Sequence, residues 1–315
     1  SNSALGTGAL AANTTASNNT AVGYNALLVS STAATCTAVG SLSMDANTTG
    51  VSNVAVGYAA LSGNTTGGYS TAIGTYALAA SAGANNTAVG YEALVGNTTG
   101  TGNVAVGKNA LLANTTAVNN TAVGMDALKA NTTGTRNTAV GTYAADAVTT
   151  AYDNTAIGYQ ALSICSEGNS NTVVGSYAAD AITTGSYNVC VGQTTLGALT
   201  TGSSNIAIGY NTLATVTGAT NNVGIGHAAL ANSTASNNIA IGYQAMDTTS
   251  TGDNNVAVGS YAMDANTTAA ANVAIGRSAM TSNTTGTRNV AVGAYALDAS
   301  TDQHDVVAVG YDALT

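Results

Sequence analysis

Glycine returns along this chain at a nearly fixed interval, and that interval decides what the chain can fold into. It closes a short phrase, typified by Asn103, Val104, Ala105, Val106 and Gly107, at residues 6, 23, 40, 57, 74, 90, 107, 124, 141, 158, 175, 192, 209, 226, 242, 259, 276, 293 and 310. The nineteen copies are spaced by 17 residues except at two steps of 16, Gly74 to Gly90 and Gly226 to Gly242. A short period kept over a whole chain marks a repeat architecture, each copy being one unit stacked on the next. Turn positions are numbered from the asparagine, so Gly107 is position 5 and Asn120 opens the following turn.

Position 4 is aliphatic in all nineteen copies, from Leu5 to Val309, and position 2 is β-branched in every copy but the first, Ser3. Position 3 is nearly always Ala, position 8 mostly Ala, and position 9 is Leu, Met or Ala. This phrase predicts a short strand whose alternate side chains share a face. The bulk at positions 2 and 4 predicts that Val106 and its equivalents point inward, with Leu111 and its equivalents as partners. The face of Ala105 and Gly107 carries almost no bulk. It is expected to pack against another chain or another part of the coil. One strand should cover positions 1 to 5 and a second roughly 6 to 10, with the Asn-Thr-Thr-Gly segment as the corner or a third short strand.

A turn of 17 residues is too short for helical-hairpin repeats, which need about 33 or more, and it lacks the Leu-rich horseshoe and calcium-binding phrases. The fold class expected is all-β: a β-solenoid of about 19 coils with a 17-residue turn and a thin, rod-like cross-section. Residues 1–315 should form one continuous array without a domain boundary. Coils about 4.8 Å apart would give a length near 90 Å. The absence of Phe and Trp fits a narrow interior. Asn13, Asn47, Asn64, Asn97, Asn114, Asn131, Asn266 and Asn283 share position 12 and are expected to form side-chain amide ladders. The constant glycine implies either φ > 0 or close backbone approach. The two 16-residue turns should lose their residue at the corner, where deletion is tolerated best.

Tyrosine sits at position 6 in Tyr24, Tyr58, Tyr91, Tyr159, Tyr210, Tyr243 and Tyr311, and at position 7 in Tyr76, Tyr143, Tyr177, Tyr261 and Tyr295. Adjacent strand positions face opposite ways, so two surfaces are expected to share the tyrosines, as a solvent-facing rim or an intermolecular contact. Position 2 shifts from Thr, in eight of the ten turns from Thr20 to Thr172, to Val or Ile in all eight from Val189 to Val307. That shift reads as a gradient toward a drier C-terminal half.

Several function classes are excluded by composition. Charged residues are 6%, against about 25% in an ordinary domain. Disorder requires low hydrophobicity, whereas apolar residues are 45% and keep fixed phases. The net charge is −9, and Arg136, Arg277, Arg288, Lys108 and Lys129 are scattered, so the basic stripe that nucleic acid needs is missing. No run approaches the roughly 20 apolar residues of a membrane span, and no membrane insertion is expected. Cys36, Cys165 and Cys190 occupy positions 1, 12 and 3, which implies neither a disulfide ladder nor a metal cluster. The chain starts at Ser1, in phase and without an initiator Met, which suggests either processing at its N-terminus or a segment of something longer.

Motifs that carry chemistry are equally sparse. The run from Gly224 through Gly226 to Ala229 matches a dinucleotide fingerprint, but no helix or βαβ unit follows, and the match reads as an accident of the repeat. His227 and His304 lie more than four turns apart. Asp recurs at position 10 in Asp45, Asp146, Asp180, Asp247, Asp264 and Asp298, which reads as a solvated acidic edge rather than converging calcium ligands. The Asn-Thr-Thr segments are also glycosylation sequons, at Asn13, Asn47, Asn64, Asn97, Asn114 and Asn131. No catalytic, cofactor-binding or metal-binding residue is expected, and the chain is not expected to be an enzyme.

The Asn-Thr-Ala-Val-Gly phrase of residues 120–124 and 137–141 resembles the repeats of phage tail-fibre proteins and related exported fibre proteins. More distantly it resembles the head repeats of trimeric autotransporter adhesins. The resemblance covers essentially the whole chain and implies an extracellular, cell-surface or virion-borne fibre, often trimeric, with a cell-surface or host receptor as a candidate partner. The residues themselves point to self-association as a homopolymer, and the resemblance implies a homotrimer as the alternative. Solenoid ends without caps expose strand edges that invite another chain, and contacts that do not close give filaments. The function expected is a structural subunit of an extracellular or virion fibre, assembling end to end, side by side, or both. The alternatives are an adhesin or receptor-binding shaft, and an ice-binding solenoid using the Thr rank at Thr98-Thr99 and Thr115-Thr116.

Overall fold

The computed structural model describes residues 1–248 and 250–315, and among these there is no helix. The chain is a parallel β-solenoid with a 17-residue turn, built from nineteen strands of three residues, β1 (Ser3–Leu5) through β19 (Val307–Val309). Each strand covers positions 2 to 4 only. The structure divides into two compact units, Ser1–Ala156 and Ile157–Thr315. The division falls inside the tenth strand, β10 (Thr155–Ile157), and coincides with no break in the period.

Within each unit consecutive strands pair in parallel and in strict register. In the first, β7 (Val104–Val106) sets Val104, Ala105 and Val106 against Thr121, Ala122 and Val123 of β8 (Thr121–Val123). In the second, β13 (Ile206–Ile208) sets Ile206, Ala207 and Ile208 against Val223, Gly224 and Ile225 of β14 (Val223–Ile225).

The expected second strand over positions 6 to 10 does not form. Three successive β-turns take its place, closed by Ala110 N–H to Gly107 C=O (3.4 Å), Leu112 N–H to Asn109 C=O (3.2 Å) and Asn114 N–H to Leu111 C=O (3.2 Å). The third residue of the first two turns has positive φ, 58° at Asn109 and 52° at Leu111, as does Asn119 at position 17 with 59°. Left-handed backbone costs a non-glycine residue roughly 1–2 kcal/mol. The stacked coils hold it in place. Asn109 N–H donates to Tyr91 C=O of the preceding coil (2.9 Å), Leu111 N–H to Ala127 C=O of the next (3.0 Å), and Asn119 N–H to Thr101 C=O (3.1 Å). Inter-coil hydrogen bonding therefore continues around the turns and is not confined to the strands.

The interior reverses the expected strand phase. Positions 1, 3, 8, 9, 12 and 15 are buried, as Asn103, Ala105, Ala110, Leu111, Asn114 and Ala117 show. Val104 and Val106 face outward and are only half covered by their neighbours in the ladder. The inward-pointing face is thus the one bearing Ala105, packed against another part of the same coil. Space is the reason. A Cβ on Gly224, which holds position 3 of its turn, would lie 3.4 Å from Leu213 Cδ1 and 2.7 Å from Thr212 Cγ2. Leucine at position 9 already spans most of the narrow interior, so the opposite wall holds small side chains, Ala in most copies, Cys190 in one, and Val173 in a turn whose position 9 is Ala179. Leu111 and its equivalents from Leu10 to Leu297 are buried as expected, Leu314 of the last turn being exposed, and each buried Leu or Met contributes about 1.5–3 kcal/mol.

Both alternatives for the constant glycine hold at once. Gly107 has φ of +136°, and a Cβ there would sit 2.4 Å from the carbonyl oxygen of Gly124. No L side chain satisfies either condition.

Two ranks of asparagine run through the interior. At position 12, Asn64 Nδ2 donates to Asn47 Oδ1 (2.9 Å) and Asn114 Nδ2 to Asn97 Oδ1 (2.8 Å), the ladder expected from register. At position 1 a second ladder forms. Asn103 Oδ1 accepts from the backbone N–H of Asn120 (3.0 Å), while Asn103 Nδ2 donates to Ala117 C=O (2.9 Å). The position-1 asparagine so ties its own coil shut and fastens it to the next. The position-12 rank then turns apolar at Val148, Cys165, Ile182, Leu199 and Val216, all buried. That change leaves Asn131 Oδ1 buried without a partner, because Val148, its successor in the rank, has no donor to offer.

The shortened turns lose position 14. In several full turns the position-12 amide oxygen accepts from a backbone N–H three residues on, as Asn47 does from Gly50 (3.1 Å). In the two short turns position 12 is serine, and its shorter side chain reaches two residues on, from Ser81 to Gly83 (3.2 Å) and from Ser233 to Ala235 (3.2 Å).

Candidate functional site

With the interior filled by Ala, Leu and Asn, the outward side of the sheet carries the β-branched side chains. Positions 2 and 4 form two ranks along each unit, neither holding a charged residue in any copy. From Val189 onward both are wholly aliphatic, and Ile206, Ile208, Ile239 and Ile241 are each 37% exposed. In the first unit position 2 is mostly threonine, half covered, beside Val or Ile. The shift from Thr to Val and Ile therefore leaves the interior unchanged and makes the outer face of the second unit drier. A continuous exposed apolar strip without charge is a mark of an interaction surface.

The tyrosines do not divide between two surfaces. Positions 6 and 7 belong to a β-turn, so the alternation of a strand does not apply, and rings at the two positions meet across consecutive coils. Tyr58 and Tyr76 have centroids 5.4 Å apart, and Tyr159 and Tyr177 5.3 Å. In the second unit the row continues through Tyr210, His227 and Tyr243, with centroid separations of 5.4 and 5.1 Å, and Arg277 lies 5.5 Å over the Tyr295 ring.

The remaining candidates are dispersed. Burial raises the carboxyl pKa of Asp45, Asp146, Asp180, Asp247 and Asp264 above its usual value. Asp247 accepts from Asn232 (3.1 Å) and Gln244 (3.3 Å). The acidic edge is thus partly buried rather than fully solvated. Asp153 and Asp305 move the opposite way, held below the usual range by hydrogen bonds from Arg136 and Arg288. The three thiols are free and buried, and desolvation pushes Cys165 up to about 11 and raises Cys36 and Cys190 as well. Gly224 lies in β14 and is followed by turns, not a helix. His304 accepts from the Thr287 backbone N–H (3.1 Å), far along the chain from His227.

The sequon asparagines Asn47, Asn64, Asn97, Asn114 and Asn131 are buried members of the ladder, so no glycan fits on them in the folded state. In the Thr-Thr rank, Thr98 Oγ1 donates to Thr115 C=O (3.0 Å) and Thr115 Oγ1 to Thr132 C=O (3.1 Å). These hydroxyls are engaged in bonds to the next coil. Among the described residues there is no enclosed pocket and no group of three or more His, Cys, Asp or Glu side chains placed to hold a metal ion. No protein-family model matches the chain, and no curated protein matches it.

What sequence reasoning missed is the outer strip, the position-1 asparagine ladder and the ring pairs across coils. The signal for the ladder was present in the near-constant asparagine before each strand, whose side chain has two hydrogen-bonding ends and no flexible stem.

Proposed function

We propose that the chain is a structural subunit of an extracellular or virion fibre, assembling side by side through the outward face of its sheet. The observation that carries this reading is the uncharged, two-rank strip at positions 2 and 4. Its ridges repeat at the strand spacing of about 4.8 Å, so an identical strip on a second copy offers the same period and matching grooves. Every coil that docks adds a further small apolar contact at about 25 cal/mol per Å², and contacts joined in one rigid face reinforce one another. The partners are therefore further copies of this chain, as a homotrimer or a homopolymer. The likeness of the Asn-Thr-Ala-Val-Gly phrase to exported fibre repeats supports the extracellular or virion setting.

The test is the double variant Ile208→Lys with Ile241→Lys. Both side chains face outward, so far-ultraviolet circular dichroism and the melting temperature should stay close to those of the unaltered chain. Sedimentation and electron microscopy should show the unaltered chain in concentration-dependent assemblies and the variant as single particles. An unaltered chain that stays monomeric at every concentration, or a variant that assembles equally well, overturns the proposal.

A further inference from the structure

The chain contains fifteen tyrosines and neither phenylalanine nor tryptophan. Ring packing alone does not ask for a phenol at every site. Three tyrosine pairs share one geometry, with position 6 of one coil meeting position 7 of the next: Tyr58 with Tyr76, Tyr159 with Tyr177, and Tyr243 with Tyr261. Their centroids lie 5.4, 5.3 and 5.3 Å apart and their planes cross at 84, 77 and 72°. Each pair lies within one of the two units. Tyr58, Tyr159 and Tyr243 are 45, 43 and 44% exposed, open to a diffusing oxidant yet held beside a second phenol. The paired hydroxyls also sense one another. The neighbouring Tyr58 raises the pKa of Tyr76, while for Tyr177 and Tyr261 desolvation comes first and the partner phenol adds to it.

We propose that these three pairs are modification sites, at which oxidation joins consecutive coils through a carbon–carbon bond between tyrosine rings. Each phenol gives one electron and its phenolic proton to the oxidant, and the two radicals bond ortho carbon to ortho carbon. The hydrogens on those carbons then leave as protons while the ring oxygens take up protons from solvent, which restores two phenols. The pair has lost two hydrogen atoms. Hydrogen peroxide turned over by a haem peroxidase accepts the two electrons and two protons and leaves as two molecules of water. Fixed proximity favours this route over coupling between chains, since the partner ring is present at high effective concentration. Tyr58 and Tyr76 are 18 residues apart in sequence, as are the other two pairs, so each bond closes a loop of about one coil and staples it to its neighbour.

The experiment treats the full chain at low concentration with hydrogen peroxide and a haem peroxidase, isolates the fraction of monomer mass, and maps linked peptides by mass spectrometry. The expected result is three linked pairs, each lighter than its parts by two hydrogen atoms, with the fluorescence of the biphenol. Tyr69 and Tyr187 are 66 and 63% exposed at position 17 and should stay outside intramolecular links. Tyr76→Phe should remove the first link and leave the other two, which also report that the coils remain folded. The proposal is overturned if the monomer fraction carries no links, if Tyr69 and Tyr187 are linked within the chain as often as the pairs, or if the Tyr58 link survives in Tyr76→Phe.

Discussion

Asn120→Ala isolates the contribution of the position-1 ladder. In the folded chain Asn120 Oδ1 accepts from the backbone N–H of Asn137 (2.9 Å), and its Nδ2 donates to Gly134 C=O (2.8 Å), all in the buried interior. Alanine removes both ends. The Asn137 N–H is left buried without an acceptor, at about 1–3 kcal/mol. Gly134 C=O keeps one donor, Asn131 Nδ2 at 3.0 Å, so its loss is a single net hydrogen bond of about 0.5–1.5 kcal/mol. The sum is about 1.5–4.5 kcal/mol. Asn120→Ser should cost less, because Ser70 already holds this position in its own coil and accepts from Asn86 N–H at 3.2 Å. Denaturant titration followed by circular dichroism gives the global loss, and hydrogen exchange at Asn137 reports the local one, as openings in repeat arrays are confined to neighbouring units. If Asn120→Ala unfolded within about 0.5 kcal/mol of the unaltered chain, the range of a neutral surface change, and Asn137 stayed protected, the assignment of that N–H to the side chain would be refuted.

The strand phase is tested by a pair of neighbours. Ala105→Leu should cost about 1–3 kcal/mol or more by overpacking the interior, while Val106→Asp, on the outward side, should leave thermal unfolding of the single chain little changed; the reverse order would restore the opposite phase. Stability should also rise on mild acidification. The five buried-edge aspartates have folded pKa values above the unfolded value of 3.8, so their contribution is fully present below that value and is lost as pH rises through the folded ones. Among the described residues, Asp153 and Asp305 are the carboxyls that act in the opposite sense. The melting temperature should therefore increase as pH falls from 7 toward 4, and a steady decrease over that range would contradict the balance.

Much of the fold was legible because the period is nearly unbroken. Coil number, parallel register and the inward leucine at position 9 follow from counting between glycines, and the ladder at Asn47 and Asn64 follows from register alone. The faces of the strand were not legible by the usual rule that bulk points inward. In this coil Leu111 fills the available width, which forces Ala105 inside and leaves Val104 and Val106 outside. The same narrowness turned an expected strand at Asn109 to Leu111 into tight turns, and with it the assumption that Tyr58 and Tyr76 face different ways. The short turns were not legible from serine alone, which also holds position 12 at Ser30 and Ser300 of full turns; only in the short ones do the hydroxyls of Ser81 and Ser233 accept from an N–H two residues on.

The in-register backbone ladder has a bearing on heredity as well as on stability. Successive coils recognise one another chiefly through main-chain groups and two asparagines, with ring pairs at positions 6 and 7, threonine hydroxyls at position 13 and ion pairs at position 17 added in some turns. A duplicated 17-residue segment would slot between existing coils with every hydrogen bond already supplied, and an excised one would let its neighbours close up. Copy number then becomes a dial that unequal recombination can turn. Each click lengthens or shortens a unit by one strand spacing of about 4.8 Å, while the exposed positions of the new coil drift as blank lettering on an unchanged frame.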